Sequence, residues 1–490
     1  MQTESITPFL AMAVALVGAA LIVATRQKPN LREGCSLAAS VLQFLIVLTM
    51  IPPVLNGEIL QFTVLPFLPQ AAISFRVDAL SLLFAITASF LWILTTVYSI
   101  GYMRHLREQA QTRYYAFFAL VLAATMGVAF SANLVTLYVF YELLTFLTYP
   151  LLTHTGSSEA HAAGRKYLRY QLATSFAFLL PAILLTYVLS GTFDFGQNGV
   201  FPAGVDATVL VVVFGFFLAG SAKAAIMPFH AWLPAAMVAP TPVSALLHAV
   251  AVVNAGVFLI FRVILDVFGT DLLQQLRLDV ATTIVVSVTI LLASFRALRL
   301  DSLKAVLAYS TISQLSYMIL GVVILSPTTM VGGVMHLVNH AESKIVLFFC
   351  VGSIYLATHK TKISELSGIG RQMPWTMAAF SIAALSLVGL PPTAGFITKW
   401  FLISGSIEAG QLAVVIVLAI STLLTAAYYF RIIRTAFFQL PQEDGRAEEP
   451  QQIREVSPLI VGPLLVGAVL TVVLGLFPSF FIDLARLALR

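Results

Sequence analysis

Eight ionisable side chains fall inside hydrophobic runs of membrane-spanning length: Glu142, Lys223, His248, His336, His340, Glu342, Lys344 and Lys399. A Lys or Asp at the centre of a spanning helix costs ~2.5 to 3.5 kcal/mol on insertion scales, so each is a functional candidate by default. The plainer alternative, a helix–helix hydrogen bond or a structural ion pair, serves for any single residue and poorly for the set. Spacing narrows the chemistry. His336, His340 and Lys344 recur at i, i+4 and i+8, which puts them on one face of a helix at ~6 Å steps. Such a stripe can relay protons, because a neutral imidazole both accepts and donates and titrates near neutrality. Metal binding competes for two histidines on one face, but that face holds no carboxylate, and no metal is expected. Glu342 lies two residues from each neighbour and points to the other side, with its role open.

Two of the lysines adjoin helix breaks. Lys223 precedes the proline-rich stretch "AKAAIMPFHAWLPAAMVAPTP" from Ala222, and Lys399 follows the double proline in "GLPPTAGFITKW" from Gly389. Proline frees backbone carbonyls, tolerated inside a membrane only where protein or water satisfies them. A lysine held there can take up and release a proton. Glu142 can modulate Lys223, since a nearby carboxylate favours the ammonium and its withdrawal releases the proton.

These residues need a membrane frame, and composition supplies one. Of 490 residues 59% are hydrophobic and 10% charged, and the mean hydropathy is +0.95; a soluble globular chain is excluded. Apolar runs fall at 7–25, 37–55, 78–100, 114–130, 133–152, 170–190, 208–227, 243–265, 280–296, 305–325, 329–357, 374–404, 411–431 and 458–482, which predicts an all-α polytopic membrane protein of about fourteen helices. Basic residues alternate with the loops. Arg26, Lys28, Arg32; Arg104, Arg107, Arg113; Arg165, Lys166, Arg169; Arg296, Arg299, Lys304; Lys360, Lys362, Arg371; and Arg431, Arg434, Arg446, Arg454 make 19 of 27, against Arg76, Arg262, Arg277, Arg486 and Arg490 on the opposite side. The positive-inside rule then puts both termini on the outer side of the inner (cytoplasmic) membrane. Cys35 and Cys350 stand alone, so neither a disulfide framework nor an iron–sulfur ligand set is expected. The first run, with only Glu4 before it, reads as a retained helix rather than a signal.

The breaks fall in the seventh and twelfth helices. An odd number of helices per repeat reverses orientation, so helices 4–8 and 9–13 would form two inverted units. The expected organisation is 1–112, N-terminal helices 1–3; 113–266, first unit; 279–436, second unit; 437–457, a solvated cytoplasmic loop; and 458–490, helix 14 and the C-terminus.

Longer motifs point further: "FRVDALSLLFA" from Phe75, "YELLTFLTYPLL" from Tyr141, "PFHAWLPAAMVAPTPVSALLHAVAVVNAGVF" from Pro228, "LKAVLAYSTISQLSYM" from Leu303, "HLVNHAESKIVLFF" from His336 and "GLPPTAGFITKWFL" from Gly389. With these the chain resembles the antiporter-like membrane subunits shared by multisubunit Mrp cation/proton antiporters, respiratory complex I (L/M/N-type subunits) and membrane-bound hydrogenases. The resemblance implies fourteen helices, the two inverted units and a central polar axis: a charge-coupling pair at Glu142 and Lys223, a connecting His248, a relay at His336, His340 and Lys344, and a terminal Lys399. Asn254 stands where many relatives have lysine, and Glu342 where they usually have an apolar residue. Around "KISELSGIGRQMPWTMAAF" from Lys362 the likeness is greatest to the Mrp D-type subunit and its hydrogenase relatives.

The function expected is proton translocation by one subunit of a multisubunit complex, a D-type monovalent cation/proton antiporter in the first place. Alternatives are a proton-pumping subunit of a complex I-related or hydrogenase redox complex, or a proton-powered partner in inorganic-carbon uptake. No redox or hydrolytic site and no cofactor is expected in this chain. Expected partners are other membrane subunits, protons with sodium or potassium as the exchanged cation, and lipid, but no nucleic acid.

Overall fold

Inside a bilayer each backbone N–H and C=O must be paired within its own segment or against neighbouring protein, which makes helix the default for long apolar runs. A computed structural model of the chain, describing residues 2–68, 71–439 and 454–489, shows this arrangement. Its helices are α1 (Thr7–Ala24), α2 (Pro29–Thr49), α3 (Ala79–His105), α4 (Gln111–Ala129), α5 (Leu134–Leu152), α6 (Ser158–Ser190), α7 (Ala207–Gly220), α8 (Thr241–Phe268), α9 (Leu278–Leu298), α10 (Leu303–Val323) and α11 (Pro327–Thr358). There follow α12 (Pro374–Val388), α13 (Ala394–Glu408), α14 (Leu412–Phe438), α15 (Pro458–Leu476) and the short α16 (Ser479–Ala488). Among the described residues twelve helices are long and apolar enough to cross a membrane, and α7 and α12 are shorter apolar helices that stop at the two expected breaks. The chain is a multi-pass membrane protein.

Three features depart from the sequence expectation. A small sheet forms from β1 (Gln2–Glu4), β2 (Ile59–Leu68) and β3 (Ala71–Val77), parallel between β1 and β2 and antiparallel between β2 and β3. The stretch preceding β3 is rich in β-branched and aromatic residues, which suit an extended strand. The sixth helix starts at Ser158, a full three turns before the apolar run, because Ser157 caps it by accepting from the Ala160 N–H at 3.1 Å. Helix α8 is interrupted at Val250 and Ala251 without any proline. Most of the predicted polar loop at 437–457 lies outside the described residues.

The helix ends sort onto two faces. On one lie the sheet, the Asn133 end of α5 and the Pro327 end of α11; Asn133 donates to Ser74 of β3. The other carries the basic loops: Arg104 pairs with Glu33, Lys304 donates to the Ala239 carbonyl at 2.9 Å and Arg431 to the Leu298 carbonyl at 3.0 Å. Burial is graded across the bundle. The apolar windows of α10, α8, α3 and α11 are 94%, 89%, 83% and 83% buried, whereas those of α1, α9 and α14 are 39%, 39% and 33%. A ring of peripheral helices therefore encloses a core of nearly lipid-free ones.

Candidate functional site: a buried polar axis

All eight singled-out residues are buried, and seven of them fall into two groups, Glu142 with Lys223 and His248 with His336, His340, Lys344 and Lys399. The first group begins on α5. The Glu142 carboxylate accepts from the Ser175 hydroxyl at 2.6 Å through one oxygen, and its other oxygen is buried without a partner. Ser175 opens a π-helical turn, Ser175–Leu179, inside α6, an irregularity that re-aims side chains at functional sites. One turn along α5, Thr145 accepts from the Lys223 ammonium at 2.7 Å, and the ammonium lies 3.4 Å from the centre of the Tyr141 ring. Glu142 and Lys223 are thus neighbours along α5 without an ion-pair contact; hydroxyl and ring face hold the ammonium instead. Lys223 sits in a 3₁₀ turn just past α7. Gly256 of α8 lets that turn approach, since a Cβ there would come within 2.2 Å of the Ala224 nitrogen.

The second group crosses from α8 to α11. His248 lies 5.1 Å, ring to ring, from Phe348, and both its ring nitrogens are buried without protein partners. The interruption of α8 leaves the Ala249 carbonyl free, and the Asn254 amide donates to it at 2.8 Å. The departure at Asn254 therefore serves as an internal cap. His340 lies within electrostatic range of His248, His336 and Lys344, again with both nitrogens unpartnered. Lys344 donates to the Leu307 carbonyl at 3.1 Å and to the Tyr429 hydroxyl at 3.4 Å.

The far end joins α11 to α13. His336 is held through both nitrogens, with Nε2 2.8 Å from Gln314 Oε1 and Nδ1 2.9 Å from the Thr398 hydroxyl. With a carbonyl at Nε2 the ring carries a proton there. The Thr398 hydroxyl then has two settings: it donates to Nδ1 of the neutral ring, or it donates to the Gly395 carbonyl at 3.1 Å and accepts from the imidazolium. Lys399 donates to the Val388 carbonyl at 3.0 Å and to Thr422 at 3.2 Å, capping the broken end of α12, where a cation meets the negative end of the helix dipole. Only the terminal members retain any exposure, Glu142 at 9% and Lys399 at 5%; Lys223, His248, His336, His340 and Lys344 are at 0%. The arrangement is a row of buried protonatable groups, fully enclosed at its interior members and least buried at Glu142 and Lys399.

Residues 131–425, more than half of the chain, match the family described as NADH:quinone oxidoreductase/Mrp antiporter, transmembrane. The chain belongs to this family. Residues 69–115 also match the N-terminus of chain 5 of NADH-ubiquinone oxidoreductase, complex I. This family member is 33% identical over 434 residues to NADH-quinone oxidoreductase subunit N of Desulforudis audaxviator, covering 86% of the chain and 85% of the relative. It is 29% identical over 471 residues to Na(+)/H(+) antiporter subunit A1 of Staphylococcus aureus, covering 89% of the chain but only 56% of that longer relative. Its fold superposes on a chain of the Mrp complex from Dietzia sp. DQ12-45-1b with a TM-score of 0.88 at 25% identity, covering 99% of the chain and 96% of the other.

Several groups of this antiporter-like subunit escaped the sequence. Thr145, Ser175, Gln314, Thr398 and Tyr429 hold the axis but are ordinary in apolar helices. Lys304, counted among the basic loops, turns inward to the Met237 and Ala239 carbonyls. Arg262, counted as a helix-end charge, is 2% exposed and clamps Asp78 through two bonds of 2.8 and 2.9 Å and Asp266 through one of 2.7 Å. A cavity of about 740 Å³ opens beside this clamp on the sheet face, lined by Glu58, Arg76, Asp78, Arg262, Asp266 and Arg486 among others. Its pairing of Asp78 with an arginine 184 residues away had no local signal. Among the described residues, no three His, Cys, Asp or Glu side chains converge as a metal site.

Proposed function

We propose that the chain translocates protons as one subunit of a multisubunit membrane complex, with Glu142, Lys223, His248, His336, His340, Lys344 and Lys399 as the path. The observation that carries this is the enclosed row of titratable groups with a lysine at each helix break. Protons enter and leave at the two least-buried members, Glu142 and Lys399. The two broken helices belong to two inverted units, 113–266 and 279–436, each contributing a half-path, with both termini on the outer side of the inner membrane. Within the family we assign it to the D-type subunit of a monovalent cation/proton antiporter, on the motifs "KISELSGIGRQMPWTMAAF" from Lys362 and "LPPTAGFITKW" from Leu390.

The likeness to an NADH-quinone oxidoreductase subunit N supports a second reading, in which the same path is driven by redox partners. Copurification separates the two: flavin, nickel or iron–sulfur subunits in the purified complex favour the redox enzyme, and membrane subunits alone favour the antiporter. Lys223→Ala and Lys399→Ala should each lower proton-coupled cation exchange in vesicles by ~10²-fold or more, the scale of losing a positioned proton-transfer group, while the complex still assembles. Normal exchange in both variants would sink the proton-path assignment.

A further inference from the structure

Of the eight ionisable residues singled out in the sequence, Glu342 is the one that the axis does not use. It lies between His340 and Lys344 on α11, but two residues along a helix rotate the side chain by ~200°, onto the opposite face. That face packs against α3 and α15: the Phe349 ring stacks 4.0 Å from Tyr98, and Val346 fills the space at Gly467, where a Cβ would meet it at 2.5 Å. Val346 and Phe349 follow Glu342 by four and seven residues, on the same side of the helix. Glu342 is 2% exposed, and both carboxyl oxygens are buried without a hydrogen-bond partner among the described residues. The covering helices α3, α12 and α15 bring no acid there, and their only cationic side chains besides are Arg104 and His105 at the basic-face end of α3.

A polar route leads from this face back to the axis. Asn339, one turn before Glu342, accepts from Ser386 at 2.7 Å and from Ser343 at 3.3 Å, and its amide nitrogen is buried without a partner. Asn339 and Thr398 both line a cavity of about 20 Å³, with Met335, Val338 and Leu474 among its walls. That is room for one water, which needs ~10 to 15 Å³. The Thr398 hydroxyl on its wall is the one that touches His336 Nδ1. Glu342 is not itself among the residues lining this cavity, but it lies one helical turn past Asn339, and helical side chains lean back toward the preceding turn.

We infer that Glu342 is a second proton-holding site beside the axis, loaded from His336 through the Thr398 hydroxyl and one internal water, which the Glu342 carboxyl reaches by rotating toward the Asn339 turn. This rests on the proton-translocation reading above. The proton leaves the His336 imidazolium, which returns to neutral imidazole, and ends on a Glu342 oxygen, which goes from carboxylate to carboxylic acid. Thr398 and the water each pass one proton on and receive one. The Asn339 amide donates a hydrogen bond and keeps its own hydrogens. An ionised carboxylate without hydrogen bond or counter-charge carries a heavy desolvation penalty and a neutral acid a much smaller one, so the group holds its proton until His336 takes it back. Helix α11 thereby stores one proton more than its axis face accounts for.

Infrared spectroscopy of the purified complex tests this directly. The intact protein should show the carbonyl stretch of a protonated carboxylic acid that is lost in Glu342→Gln and displaced, not lost, in Glu342→Asp. Thr398→Val should slow deuterium exchange at that band by about tenfold or more, the effect of replacing a hydroxyl relay with a methyl group. A spectrum unchanged in both Glu342 variants overturns the proposal, and so does wild-type exchange in Thr398→Val. If Glu342→Gln fails to assemble, Glu342→Asp and Thr398→Val decide alone. Cation exchange retained in Lys223→Ala and Lys399→Ala would instead remove the translocation reading and leave this band as it is, so the two failures are distinguishable.

Discussion

Asn254 shows how a single side chain can replace a familiar charge with a different task. The interruption of α8 strands the Ala249 carbonyl, and the Asn254 amide is what pairs with it. In Asn254→Ala that carbonyl loses its donor in an apolar interior, a cost of about 1 to 3 kcal/mol. The complex should therefore melt earlier, with its proton path chemically intact; an unchanged melting temperature would argue against the cap. At this scale the sequence was legible where chemistry and background contrast. Eight ionisable residues stand out from an apolar chain because the membrane penalises each of them. Thr145, Ser175, Thr398 and Tyr429 do not, since hydroxyls are cheap in a helix, where Ser and Thr bond back to the preceding turn. The interruption of α8 left no mark either, because it is made by residues 250–251, a valine and an alanine, and held by an asparagine several positions on.

The helical elements were legible in proportion to their punctuation. Pro391 and Pro392 announced the separation of α12 from α13, and Pro228 the end of the stretch after Lys223. How tightly the halves re-dock was not visible. Gly395, at the start of α13, has no room for a side chain: a Cβ there would lie 1.7 Å from the Ser386 carbonyl oxygen. Gly395→Ala must push α12 and α13 apart, costing about 3 kcal/mol by the usual scale of overpacking. The expected result is a lower yield of assembled complex and a depressed thermal midpoint. Gly462→Ala on α15, with open space around it, serves as the control and should be neutral or mildly stabilising. Equal behaviour of the two variants would show that the α12–α13 contact is slack. The small sheet was missed for a different reason: its strands lie in the stretches before residue 7 and between 55 and 78, outside the spanning runs, and are too short or too loosely patterned to announce themselves.

Across the whole molecule, the two faces differ in what holds them. On the basic face His154 follows α5, buried and close to Arg113, and these two effects hold its imidazole down to about 4 from an ordinary 6.5. Below pH 6.5 the unfolded chain gains a proton there and the folded one does not, so stability is lost as pH falls from about 6.5 toward 4. His154→Gln should flatten that acid limb of the melting profile. Burial pushes the neighbouring Glu108 carboxyl up, which acts in the opposite direction as pH falls. Glu108→Gln should accordingly steepen the limb; a profile indifferent to both substitutions would place the acid sensitivity elsewhere. The graded burial of the bundle has a last consequence. Under the proposed function, the row of protonatable groups, with its interior members fully enclosed, is a conductor inside a low-dielectric jacket formed by helices such as α1 and α9. Charge can escape sideways only by breaching that jacket. Loosened packing between the outer helices and the core should then appear first as an uncoupled leak, before any loss of turnover, and bilayer thickness should govern the jacket's integrity more than the conductance within it.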